Sequence, residues 1–122
     1  MYGVIWVMLG GALGAALRYM TGLVLASGAQ ATLVVNVSGS FAMGLLGAIA
    51  LTRNWPGDQA VWLFLGVGML GAFTTFSAFS REAVDLLLNE QIVGALVFMV
   101  VNMLGAILAF WAGFVGLRAV LS

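Results

Sequence analysis

The sequence predicts an all-α integral membrane protein with four transmembrane helices, and three observations lead to that fold class. Of the 122 residues, 64% are hydrophobic and 7% are charged, and the mean hydropathy is +1.19. A water-soluble domain of this size could not present that composition to solvent. One span takes about 20 residues, and short polar links separate four apolar runs. The predicted organisation is a single domain over residues 1–122.

The apolar runs define the four predicted spans in order. They cover residues 4–26, 32–51, 61–88 and 92–120, and each can cross a hydrocarbon core about 30 Å thick. The predicted links are residues 27–31, 53–58 and 89–91, of which the second holds the only proline. A cleaved signal peptide is the alternative for the first run. We predict a retained helix, because no basic residue precedes the run and Arg18 lies inside it.

Composition also excludes several function classes. The formal net charge is 0, and the chain has no lysine and no basic run that could bind nucleic acid. It has no cysteine and no histidine, so the usual metal ligands, thiol chemistry and the neutral-pH proton shuttle are absent. We therefore expect neither an enzyme nor a nucleic-acid-binding protein.

The four arginines are divided evenly between the two sides of the predicted membrane domain. With four crossings, Arg53 and Arg118 lie on one side, and Arg18 and Arg81 lie near the other. A Lys/Arg excess in cytoplasmic loops normally determines orientation, so this balance gives no strong preference. Insertion in both orientations, followed by an antiparallel dimer, is one hypothesis. A single, weakly favoured orientation is the other, and charge alone leaves both open.

Small residues recur at a spacing of four in three of the spans. The repeats are Gly10 and Gly14 in the first, Ser40, Gly44 and Ala48 in the second, and Gly105 and Ala109 in the fourth. Helices in lipid associate through close backbone approach at such residues, so the pattern favours a tight multi-helix or dimeric bundle. The alternative is that glycine and alanine are simply common in membrane helices.

The third span carries a polar interruption at membrane depth. Gly71, Thr74 and Thr75 stand close together in an otherwise apolar run. Glycine and paired threonines weaken a helix in its middle, and freed carbonyls at a break coordinate cations in other membrane proteins. The pattern predicts a broken third helix, with Gly71 and Thr74 as candidate cation ligands. A continuous helix, in which the threonine hydroxyls bond back to the preceding turn, is the alternative.

Five further side chains are candidates for an ion path. Asn36 and Asn102 bring amides to the middle of their spans, and each either makes a helix-to-helix hydrogen bond or lines a path. Phe76 and Phe79 share one helix face; such rings usually face lipid or fill a core, but their positive edges can also contact an anion. Arg18 either extends to the lipid headgroups or adds positive potential at a vestibule.

Three motifs taken together resemble the Fluc (CrcB) family of fluoride channels. The first span contains GGALGAALRY at residues 10–19, and the third contains GAFTTFSAF at residues 71–79. The second contains Thr32, Asn36 and GSF at residues 39–41, and Val101 with Asn102 extends the likeness to the fourth. The resemblance covers essentially the whole chain, and motifs in this order are highly specific.

The resemblance implies a fluoride-selective channel that passes the anion passively, lowers cytoplasmic fluoride and gives fluoride resistance. It implies an antiparallel, dual-topology homodimer in the bacterial inner membrane. A structural Na+ would lie between the subunits, bound by the backbone carbonyls of Gly71 and Thr74. The residues that match the family's fluoride pathway are Asn36, Phe76, Phe79, Thr32, Ser77 and Arg18.

The chain departs from the family pattern at three positions. It has Ala72, Ala78 and Ala106 where the family often has glycine, threonine and serine, respectively. We expect these changes to alter the conduction rate and to leave the fold unchanged.

Two other function classes fit a short four-helix membrane protein. A proton-coupled small multidrug transporter needs a carboxylate deep in the membrane, but the first two spans contain none, and Glu82 and Asp85 come late in the third. An assembly subunit without transport of its own would use Asn36 and the threonine pair only for packing.

Overall fold

The computed structural model describes residues 2–52 and 59–122, and this part of the chain is entirely helical apart from short links. Four of its spans are long and apolar enough to cross a membrane. The all-α membrane fold is therefore confirmed. The helical elements are α1 (Tyr2–Val24), α2 (Gly28–Thr52), α3 (Gln59–Trp62), a π-helical segment (Leu63–Leu70), α4 (Gly71–Phe73), α5 (Phe76–Leu88) and α6 (Ile92–Leu121).

The link between the first two spans is shorter than predicted. Residues 28–31 belong to α2, and the polar residues in this region form the start of the helix. Ser27 caps it, since its hydroxyl accepts a hydrogen bond from the Gln30 N–H at 3.2 Å. The predicted link at residues 53–58, with Arg53 and the proline, lies outside the described residues.

Close backbone contacts hold the bundle together, and glycines make them possible. A Cβ at Gly10 would collide with the Phe64 carbonyl oxygen, and one at Gly14 would collide with the Met69 carbonyl oxygen. In the same way, Gly44 leaves room for the Phe110 carbonyl oxygen. The predicted spacing thus serves packing within one chain, where α1 contacts the third span and α2 contacts α6.

The contacts also give the helix directions. Residue numbers rise together along α1 and the π-helical segment, and along α2 and α6, so each pair is parallel. In contrast, α5 and α6 are antiparallel, because Phe79 contacts Phe98 and the two helices join through the short link at residues 89–91. This arrangement brings the middle of α2, the break in the third span and the middle of α6 together.

The predicted link at residues 89–91 is confirmed and forms a Schellman motif. The Gln91 N–H donates to the Leu86 carbonyl at 2.9 Å, and the Glu90 N–H donates to the Leu87 carbonyl at 3.1 Å. Glu90 has a φ of 59°, which lies in the left-handed region and favours glycine.

Replacing Glu90 with glycine should therefore stabilise the fold. Relief of the left-handed strain, less the added backbone entropy, amounts to about 0.5–1 kcal/mol. Thermal unfolding in detergent would measure this as a raised midpoint. Glu90→Ala is the matched control for loss of the carboxylate, and an equal rise in that variant would contradict the backbone explanation.

Candidate functional site

The third span is interrupted at Thr74 and Thr75, which confirms the predicted break. Both residues are extended, with φ and ψ of −77° and 156° at Thr74 and of −152° and 119° at Thr75. The helix resumes at Phe76, and the Thr75 hydroxyl caps it by accepting a hydrogen bond from the Ala78 N–H at 3.1 Å. The Thr74 hydroxyl bonds back to the Leu70 carbonyl at 3.0 Å, but the continuous helix that this bond was predicted to accompany does not form.

The side chain of Asn36 clamps the break. In an extended residue the N–H and C=O point to the same side, and Asn36 pairs with both groups of Thr75. Its Oδ1 accepts from the Thr75 N–H at 2.7 Å, and its Nδ2 donates to the Thr75 carbonyl at 3.0 Å. The second Nδ2 proton is directed to Oδ1 of Asn102, again at 3.0 Å. Three elements are thus joined by one buried amide.

The break frees backbone carbonyls from their helical partners, and those of Gly71 and Thr74 are among them. In a continuous helix the Thr75 N–H would donate to the Gly71 carbonyl, but here it donates to Asn36. The Ala78 N–H would donate to the Thr74 carbonyl, but here it donates to the Thr75 hydroxyl. Gly71 is also exposed on the surface of the single chain. Both residues predicted as cation ligands therefore have carbonyl groups suited to that role.

Phe76 and Phe79 lie on one face of α5, as predicted, with ring centroids 5.1 Å apart. Their environments differ, because Phe76 is 71% exposed and Phe79 is 6% exposed. Phe79 also contacts Phe98 of α6 at 5.5 Å, with the rings inclined by 35°. Phe79 is therefore fixed within the bundle, whereas Phe76 projects from it.

A cavity of about 330 Å³ lies at the break and is open to the surface of the chain. Its walls combine the amides of the clamp with the two rings. The lining residues are Asn36, Asn102, Thr74, Thr75, Phe76, Phe79, Ser40, Met103, Ala106 and Ile107. Ala106, where the family pattern suggests a serine, thus contributes a methyl group to the wall.

Three of the residues matched to the family's pathway do not line this cavity. Thr32 is buried on α2, one helical turn before Asn36. Ser77 is exposed, and its hydroxyl lies 3.2 Å from that of Thr75. Arg18 is half-buried on α1, and its Nε has no hydrogen-bond partner in the described part of the chain.

Sequence reasoning missed two contributors to this site. Phe98 supports Phe79, and its only signal is that it lies one turn before Asn102 on α6. The π-helical segment before the break had no signal beyond its two glycines, Gly66 and Gly68. Gly68 also lets α1 approach closely, since a Cβ there would lie 2.8 Å from the Val7 carbonyl oxygen.

Comparisons with known proteins give a consistent result. Residues 5–114 match the family model described as CrcB-like protein, Camphor Resistance (CrcB). A protein of Sphingopyxis alaskensis named fluoride-specific ion channel FluC is 44% identical over 92% of both chains. A protein of Chelativorans sp. with the same name is 42% identical over 99% of this chain and 100% of its own. Another, from Gloeobacter violaceus, is 40% identical over 93% of this chain and 94% of its own.

These relatives agree with the prediction of a multi-pass membrane protein that is not an enzyme, because each is named as a channel. The motifs on which the resemblance rests lie within the matched residues and form the helix break, the clamp and the glycine contacts. The chain belongs to the CrcB-like protein family.

Proposed function

We propose that this protein is a fluoride-selective channel that passes the anion down its electrochemical gradient and so lowers cytoplasmic fluoride. The observation that carries the proposal is that relatives named as fluoride-specific ion channels match nearly the whole chain. The cavity at the helix break supports it, because amide and hydroxyl groups at membrane depth are costly unless they serve a path or a contact. By lowering cytoplasmic fluoride, such a channel would make the cell resistant to fluoride.

The path would be completed by a second copy of the chain. In one chain the cavity is open to the surface, and Phe76, which lines it, is mostly exposed. An antiparallel homodimer would cover the opening, and the evenly divided arginines of the sequence are compatible with insertion in both orientations. In the dimer, hydrogen-bond donors would replace the hydration of the ion, and the positive edges of Phe76 and Phe79 would support it without strong binding.

The other matched residues would act beside the path. Ser77 stabilises the cap of α5 through Thr75, and Thr32 contributes a hydroxyl on the buried face of α2. Arg18 would add positive potential near an entrance, which attracts an anion. Ala78 and Ala106 would make the path less rich in hydroxyl groups than the family pattern, and together with Ala72 they would change its conduction rate.

A structural Na+ between the subunits is part of the proposal. The Gly71 and Thr74 carbonyls would bind it, because both have lost their helical donors and Gly71 is exposed where a second copy could approach. Unwound backbone carbonyls are typical Na+ ligands in membrane proteins. The positive charge of the ion would attract the carbonyl oxygens of both subunits and so hold the two broken helices together.

Removal of Na+ should therefore weaken the dimer. We expect a lower thermal midpoint and more monomer in size-exclusion chromatography when NaCl is replaced with N-methylglucamine chloride at equal ionic strength. The physical reason is that the four proposed ligands, the Gly71 and Thr74 carbonyls of both subunits, would then face one another without a cation. Identical midpoints in both salts would contradict the proposed Na+ site.

A proton-coupled transporter is less well supported. Its carboxylate would be Glu82, which is buried, but Glu82 does not line the cavity, and its Oε1 lies 3.5 Å from the Arg81 guanidinium. The channel proposal uses the cavity, the break and the clamp together, whereas the transporter leaves them without a role.

Efflux from liposomes tests the proposed function. The purified protein is reconstituted into vesicles loaded with fluoride or with chloride, and ion-selective electrodes follow the release. We expect rapid fluoride efflux with chloride retained. Release of neither anion from vesicles that contain the protein would overturn the proposal. Release of both would show that the channel is not selective for fluoride.

A further inference from the structure

Asn102 has a buried amide nitrogen without a hydrogen-bond partner among the described residues. Its side chain is 3% exposed, and the residue lines the cavity at the break. An amide nitrogen carries two donors, and leaving a buried donor unpaired costs about 1–3 kcal/mol. A group of this kind needs an acceptor that residues 2–52 and 59–122 do not supply.

The direction of the Asn102 amide follows from the backbone of Thr75. The N–H and C=O of Thr75 cannot exchange places, so Asn36 must present Oδ1 to the former and Nδ2 to the latter. The remaining proton of the Asn36 amide then requires an acceptor, which is Oδ1 of Asn102 at 3.0 Å. Reversing the Asn102 amide would bring two donors together. Its Nδ2 is therefore directed away from the clamp.

The same chain of hydrogen bonds leaves Asn36 with no donor for an anion. One of its two amide protons is used by Thr75 and the other by Asn102. A dehydrated anion in the cavity needs donors, and the amide protons of Asn102 are unused. Asn36, which is matched to the family's pathway, thus has a structural role here, and the free amide protons belong to Asn102 on α6.

We propose that Asn102, rather than Asn36, donates the amide hydrogen bond to the anion in the cavity. This inference rests on the proposed function and assigns the residue that contacts the ion. Asn36 orients Asn102 and holds the break open. The anion satisfies the buried donor, and this pairing compensates part of the dehydration of the ion.

The decisive measurement is NMR of the protein in detergent with ¹⁵N-labelled asparagine. The chain has four asparagines, at positions 36, 54, 89 and 102, so the side-chain spectrum is simple. Asn36→Asp and Asn102→Asp assign the two signals of the clamp by their disappearance. We expect sodium fluoride, but not sodium chloride, to shift the Asn102 amide signal, while the Asn36 signal changes much less.

Flux gives the second readout. Asn102→Asp keeps the oxygen that accepts from Asn36 and removes both donors, so we expect a folded protein with at least a tenfold loss of fluoride efflux. Asn102→Ser restores an uncharged donor and should recover part of the flux. Asn89→Asp is the matched control, because Asn89 is exposed at the end of α5 and its amide bonds only locally, to the Asp85 carbonyl at 2.7 Å.

The outcomes separate the two proposals. A fluoride-dependent shift of Asn36 with Asn102 unchanged would overturn the assignment, as would unimpaired flux in Asn102→Asp. If vesicles that contain the wild-type protein release no fluoride, the proposed channel function is wrong. A shift of Asn102 would even then identify an anion site without conduction, and a spectrum insensitive to fluoride would reject that site as well.

Discussion

Asn36→Ala is expected to lower the stability of the protein and to abolish fluoride efflux. The substitution removes three buried hydrogen bonds and leaves the Thr75 N–H, the Thr75 carbonyl and the Asn102 oxygen without partners. Hydrogen bonds contribute about 1 kcal/mol each, and unpaired buried groups cost about 1–3 kcal/mol. We expect a total loss of about 3–5 kcal/mol after partial relaxation. Thermal unfolding in detergent and efflux from liposomes measure the two effects.

The control for Asn36→Ala is Asn89→Ala. Asn89 loses a single hydrogen bond at an exposed position, so its midpoint and flux should remain close to wild type. If Asn36→Ala were as stable as Asn89→Ala, the clamp would not hold the break. If it lost stability but kept its flux, the clamp would serve packing alone and Asn36 would have no role in the ion path.

The double substitution of Phe76 and Phe79 by isoleucine is expected to reduce fluoride efflux by about 10–100-fold. Isoleucine keeps the apolar volume and removes the positive ring edge. An edge contact of about 0.5–1.5 kcal/mol per ring gives this range, since about 1.4 kcal/mol corresponds to a factor of ten. Efflux rates of the single and double variants, at equal protein per vesicle, are the measurement.

The two rings should differ in their effect on stability. Phe76 is 71% exposed in the single chain, so Phe76→Ile should fold normally, whereas Phe79→Ile also loses its contact with Phe98. Phe41→Ile provides a matched control, because Phe41 is a partly exposed phenylalanine of α2 that does not line the cavity. Flux that survives both substitutions at the break would rule out the ring-edge contact.

The sequence also predicted where the third span is interrupted. Gly71, Thr74 and Thr75 predicted a break, and the structure has it at the two threonines. The prediction succeeded because backbone propensity acts locally, within a few residues. The same local reasoning failed at residues 28–31, where polar residues that cap a helix resemble a loop.

The clamp could not be predicted, because its members are distant in the chain. Asn36 lies 39 residues from Thr75 and 66 from Asn102. The sequence showed two costly amides in the membrane and left open whether each would form a helix contact or line a path. The structure assigns the helix contact to Asn36, and it leaves a free donor on Asn102.

The sequence by itself determined the membrane fold, the four spans, the break in the third and the small-residue contacts. These properties follow from hydropathy and from backbone propensity, which are sums over neighbouring residues. Only the tertiary structure decided which amide clamps the break and which amide donor remains unpaired. Those choices depend on distances between helices that pack side by side, and a hydrogen bond forms only when both partners are in place.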